Sequence, residues 1–97
     1  MHRALLELRI RDVHSRLVRA REDLTVLEEQ LAVVRESAEE ARVRSLVAET
    51  PLAAHESSEA ARHADAMSKA RDALANTVLD LEQRQDELLS NVVTPRS

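Results

Sequence analysis

His55, Glu59 and His63 stand four residues apart, a spacing that puts neighbouring side chains on one helix face about one turn apart. Each adjacent pair could reach a single divalent cation. All three cannot share one ion, because the first and last lie about 12 Å apart along the axis at 1.5 Å per residue. Glu36 and Glu39 could add ligands from an opposing helix, but the Glu-x-x-His pattern of carboxylate bundles is absent. The simpler reading is that these groups solvate an alanine-rich helix, and no metal or other cofactor is expected. His14 beside Ser15, and His55 near Ser57 and Ser58, have no third group and no pocket to organise them. Without glycine or cysteine the chain offers no phosphate loop, thiol nucleophile or disulfide, so catalysis is not expected and no catalytic residue is assigned.

Two charged groups are the better candidates. Glu36, Glu39 and Glu40, with Glu49, Glu56 and Glu59, form an acidic stretch: from residue 36 to 65 seven acids meet three arginines, a balance of −4. Residues 1–21 lean the other way, with six arginines against Glu7 and Asp12, a balance of +4. Arg9, Arg16 and Arg19 fall on neighbouring faces of one helix, with Arg3 and Arg21 on the other flank. They could meet a nucleic acid, yet Asp12 and Asp23 interrupt the patch and no aromatic ring is present to stack on bases. Nucleic acid is therefore expected as a partner only within a ribosome or polymerase complex. Salt bridges flanking a helix pair, such as Arg21 to Glu82, are the plainer use of such side chains.

The elements that place these groups follow from one pattern. Leu6, Ile10, Val13, Leu17, Ala20, Leu24, Leu27, Leu31, Val34, Ala38, Ala41, Ser45 and Ala48 alternate steps of four and three, and all but Ser45 are apolar. Such a heptad seam belongs to a helix lying along another helix. A second seam runs from Ala53 through Ser57, Ala60, Ala64, Met67, Arg71, Leu74, Val78, Leu81, Gln85 and Leu88 to Val92. Between them Pro51 disfavours helical geometry at Thr50 and suits the first position of a new helix, while the Thr50 hydroxyl can cap it. The spacing predicts helix 1 over about residues 4–48, a turn at 49–51, helix 2 over about 51–92 and a short tail at 93–97.

In an antiparallel hairpin, facing residues have position numbers with a constant sum. Pairing Leu24 with Leu74 gives 98, and the same sum joins Leu17 to Leu81, Leu31 to Met67 and Ile10 to Leu88. Half of 98 is 49, beside the turn that Thr50 and Pro51 mark independently. The expected fold is all-α, a single antiparallel two-helix coiled-coil hairpin held by Leu17, Leu24, Leu27, Leu31, Leu74, Val78 and Leu81. Gln85, Arg71 and Ser57 then face Val13, Leu27 and Ala41. Such polar residues can fix register, or they can extend their polar ends past a narrow interface to water. Near the turn the seam is mostly alanine and serine, so that half is expected to be looser.

Apolar residues also lie off the seam, at Leu5, Leu8, Val18, Val26, Val33, Val43, Leu46, Val47, Leu79, Leu89 and Val93. A hairpin buries one stripe per helix, and ordering costs about 1 to 2 kcal/mol per residue. Self-association into a four-helix bundle, or docking on a larger partner, would cover them. With 43% hydrophobic and 33% charged residues and a net charge of −4, the chain has coiled-coil composition and no general attraction to anionic surfaces. No continuous apolar core of a signal peptide or membrane span is present, so a soluble, cytoplasmic protein with a protein partner, no membrane and no small-molecule substrate is expected.

An acidic-tipped hairpin resembles the coiled-coil finger of transcription-cleavage (Gre-type) factors, which enters the secondary channel of RNA polymerase and steadies a metal ion. The likeness is architectural and covers the finger alone. Length and hairpin shape are also similar to the WXG100 class of small secreted proteins. Here the turn reads Ala48, Glu49, Thr50, Pro51 in place of Trp-x-Gly, and there is no tyrosine for the C-terminal secretion signal of that class. Three readings of function result: an interaction or assembly module binding itself or a larger machine, a regulator docked on RNA polymerase or the ribosome through its acidic tip or basic base, and a secreted hairpin.

Overall fold

A computed structural model gives the architecture and describes residues 2–93. Two long α-helices pack against one another as a helical hairpin, α1 over His2–Ala48 and α2 over Pro51–Val93. Helix α1 thus begins two residues earlier than the spacing suggests. Helix α2 takes in Val93, which the sequence reading gave to a tail, because nothing in Asn91 or Val92 stops a helix. The remainder of that tail, residues 94–97, lies outside the described residues.

The helices form for local reasons. Neither contains glycine, and the only proline in the described residues is the first residue of α2. Acidic residues stand one turn before basic ones in several ion pairs: Asp12 to Arg16 at 3.2 Å, Glu39 to Arg42 at 2.6 Å, Glu59 to Arg62 at 2.8 Å and Asp65 to Lys69 at 3.1 Å. That order suits the helix dipole, and each pair adds a few tenths of a kcal/mol.

At the turn, Glu49 takes a left-handed conformation with φ of 52° and donates its N–H to the Ser45 carbonyl at 3.1 Å. Thr50 then begins the return. Its Oγ1 accepts the Ala53 N–H at 3.2 Å and its carbonyl accepts the Ala54 N–H at 3.1 Å, so side chain and backbone together cap α2. A side chain in the left-handed region costs roughly 1 kcal/mol or more. Glu49→Gly should therefore stabilise the hairpin by up to about 1 kcal/mol, read as a raised midpoint in urea unfolding; an unchanged or lowered midpoint contradicts the strain at this residue.

The chain divides into two compact units, Met1–Leu24 with Leu74–Ser97, and Thr25–Ala73. In the first, which holds the termini, Leu17, Ala20 and Val78 are buried and Leu24, Leu74 and Leu81 pack around them half-buried. These six make three couples, each with position numbers summing to 98. In the second, which holds the turn, Leu31 and Ala41 are buried and Leu27, Val34, Ala38, Ala64 and Met67 are half-buried. Along α1 the half-buried or buried positions coincide with the heptad series from Leu6 to Ser45, Ala48 being exposed.

Helix α2 adds a row that the sequence reading missed. Ser68, Ala75 and Glu82, seven residues apart and each following a seam residue, are half-buried too. Ser68 Oγ accepts a hydrogen bond from Arg35 Nη2 at 3.2 Å in the turn unit, and Glu82 Oε2 meets Arg21 Nη2 at 2.9 Å in the terminal unit. Small or paired side chains here let α1 sit against this flank.

The polar seam residues behave differently from one another. Gln85 keeps its half-buried place and finds a partner, its Nε2 lying 3.1 Å from His14 Nδ1. Arg71 stays half-buried. Its Nε is shut off from water and lies 3.3 Å from Asp72 Oδ1 without hydrogen-bond geometry. A desolvated donor left unbonded costs about 1 to 3 kcal/mol, so Arg71→Leu should raise stability by about 1 to 2 kcal/mol, the carboxylate of Asp72 being left to water. A lower midpoint for this variant in urea unfolding would show that Arg71 contributes more through its aliphatic stem than its head costs.

Candidate functional site

Among the described residues no polar or charged side chain is fully buried. Two open grooves lie in the terminal unit. One is bounded by Arg9, Asp12 and Val13 of α1 and Arg84, Glu87 and Leu88 of α2.

Arg9, Arg16 and Arg19 are all exposed on this unit. Arg16 is engaged by Asp12 at 3.2 Å, and Arg9 lines the groove with Arg84 among acids. Folding changes the meaning of these arginines. Helix α2 brings Asp80, Glu82, Asp86 and Glu87 into the same unit, which holds eight arginines and eight acids, formal charge zero. The +4 of residues 1–21 is thus a property of one strand of chain and not of the folded half.

The turn unit, Thr25–Ala73, holds six bases against ten acids and so carries the whole −4 of the chain. Glu36, Glu39 and Glu40 are exposed there but fan over about 100° of α1, so they do not converge on one point. Arg42 grips Glu39 through two hydrogen bonds, Nη2 to Oε1 at 2.6 Å and Nε to Oε2 at 3.0 Å. Those bonds, and then the arginine charge, hold the Glu39 carboxyl below its ordinary pKa and raise that of Arg42. Because the Glu39 pKa is lowered in the fold, its small contribution is present above the ordinary carboxylate range and fades as pH falls through the folded value.

His55, Glu59 and His63 are exposed, and Glu59 is taken up by Arg62. No three His, Asp or Glu side chains gather as a metal site among the described residues. Nor is any described helix long and apolar enough to cross a membrane. Of the seven residues expected to hold the hairpin, Leu17, Leu24, Leu74, Val78 and Leu81 lie together in the terminal unit, and Leu27 and Leu31 lie in the turn unit.

The surface that the sequence reading did not single out is one flank of the turn unit. Residues that follow seam positions, such as Arg35 and Ser68, form one flank and carry its charges. Residues that precede seam positions form the opposite flank: Val26, Gln30, Val33 and Ser37 on α1, and His63, Ala66 and Ala70 on α2, all exposed. Over residues 26–37 and 63–70 it carries no acidic or basic side chain other than His63, and Val33 is 63% exposed; nearer the turn the same row holds Glu40, Arg44, Glu56 and Glu59. Its signal in the sequence is a second heptad series one residue before the first. Comparison with family models, with curated proteins and with solved structures gives no match for this chain.

Proposed function

We propose that this chain is a non-enzymatic coiled-coil interaction module, a hairpin that assembles with itself or docks on a larger protein machine. The supporting observation is the exposure of large apolar side chains on a fold whose buried stripe is narrow. Leu8, Leu46, Leu79 and Val47 are between 61% and 81% exposed, whereas among the described residues only six apolar side chains are buried and two of those are alanine. Leaving such groups in water forfeits roughly 25 cal/mol per Å² of apolar surface, which a partner would recover. Sedimentation of the purified chain, alone and after incubation with cell extract, tests this reading. A mass above that of one chain in at least one condition is expected; one-chain mass in both contradicts it.

A second reading rests on charge. The turn unit alone carries the net −4, which favours docking of the acidic tip on a basic surface of RNA polymerase or the ribosome over use of the arginine-bearing base. Co-sedimentation with either machine should be salt-sensitive and lost when Glu36, Glu39 and Glu40 are changed to lysine. Binding that survives this reversal, or none at low salt, removes the tip from that role.

A further inference from the structure

We infer that the uncharged flank of the turn unit receives the same flank of a second copy of this chain, with the two turns at the same end. The inference rests on the module reading and names its partner. Within the unit, Val33 stands level with Ala66 and Val26 with Ala73, both couples having position numbers that sum to 99, and Gln30 lies within one turn of Ala70. One helix thus offers valines and the other alanines.

A two-fold axis parallel to the helices lays α1 of one copy over α2 of the other at unchanged height. Each Val33 then meets the second copy's Ala66, a large side chain over a small one, as close helix packing requires. The contact is isologous and closes on itself.

The borders of this flank decide between the possible arrangements. On the outer edge of α1 stand Glu29 and Glu36; on the outer edge of α2 stand Arg62 and Lys69. Glu29 is level with Lys69 and Glu36 with Arg62, both couples summing to 98. Under the parallel axis each acid faces a base of the second copy, in the place that flanking charges occupy beside a coiled-coil seam. An axis across the helices instead sets α1 on α1 and α2 on α2, so that glutamates meet glutamates and bases meet bases. Charge therefore selects one arrangement.

The bases are available: the side chains of Arg62 and Lys69 are 74% and 77% exposed, held only by neighbours on their own helix. Glu29 and Glu36 have no ion-pair partner among the described residues. Towards the turn the flank ends at Glu40 and Glu59, which would meet like charge, so the contact covers about three helical turns. An interface of that size is weak, with a dissociation constant in roughly the micromolar range or above.

Sedimentation equilibrium of the full chain from about 1 µM to 1 mM tests the inference through two variants, Glu29→Lys with Glu36→Lys, and Arg62→Glu with Lys69→Glu. All four sites lie outside the hairpin seam, and circular dichroism verifies that each variant keeps the parent's helix content. The parent should dimerise. Each variant alone should associate at least tenfold more weakly, and an equimolar mixture should recover a heterodimer at near-parental strength, because every acid again faces a base. Val33→Glu should also weaken the parent at least tenfold, whereas Ala61→Glu on the opposite flank should not. A parent monomeric throughout, a mixture that stays monomeric, or a dimer indifferent to Val33→Glu overturns the inference. A monomeric parent that still enters a larger complex in extract would leave the module reading standing, and one that enters none would remove both.

Discussion

Leu17→Ala should destabilise the hairpin by about 3 to 4 kcal/mol, the largest loss from any single truncation. Among the described residues Leu17 is the only large side chain with no exposure at all, and it lies among Ala20, Val78, Leu24, Leu74 and Leu81. Removing three carbons there forfeits their transfer free energy and leaves a cavity that helices pinned at this layer close only in part, so a cost in the upper part of the usual range of about 2 to 5 kcal/mol is expected. Leu24, which the sequence alone would make an equal partner, is half-buried and should cost less. Urea unfolding followed by circular dichroism at one fixed chain concentration reads the difference, since association would otherwise shift the midpoint. Leu8→Ala, at a site 61% exposed, is the control and should stay within about 0.5 kcal/mol. Equal effects at Leu17 and Leu8 would mean that the terminal unit has no core of the kind described.

Leu31→Ala should rank second, at about 2 to 3 kcal/mol. Leu31 is 2% exposed and is the one large side chain buried in the turn unit. Its surroundings soften the loss. Facing it in the register is Met67, half-buried and unbranched, which can swing into part of the space, and the neighbouring seam residues Ala38, Ala41 and Ala64 let the helices move together. Val33→Ala, two residues away but 63% exposed, should change the stability of the monomer by less than about 0.5 kcal/mol. A Leu31 variant as stable as the Val33 variant would mean that the turn unit is held by its turn and flanking bonds rather than by its seam.

Much of the fold was legible because a heptad seam leaves little choice. A residue in steps of four and three from Leu17 must face the partner helix, and the burial of Val13, Ala20, Leu31 and Ala41 follows that rule. The turn was legible through Thr50 and Pro51, whose chemistry fits the start of a helix and little else. Glu49 was not, since nothing in a glutamate marks a left-handed residue when glycine is missing from the chain. The Arg21 to Glu82 pair followed from register, but the half-burial of Ser68 and Ala75 in the same heptad row depends on how far α1 leans to that flank, which periodicity does not encode.

The candidate surfaces were harder to read for a related reason. Charge counted along the chain gave a basic start and an acidic middle, yet a hairpin adds residues 74–97 to residues 1–24 and cancels the basic half. Only the acidic middle folds back on itself and keeps its sign. Likewise Val26 and Val33 stand as strays along α1 until α2 places Ala73 and Ala66 level with them. A flank belongs to two helices at once, and neither helix displays it alone.

The most direct test uses the absence of cysteine. Spin labels on Ser15→Cys and Gln83→Cys, both exposed and level with each other in the terminal unit, report the fold without touching the seam. With labelled chain diluted in excess unlabelled chain, a separation below about 35 Å is expected, the width of two packed helices and two label arms. A separation near 100 Å, the rise of one unbroken helix between those positions, would contradict the hairpin and everything built on its register.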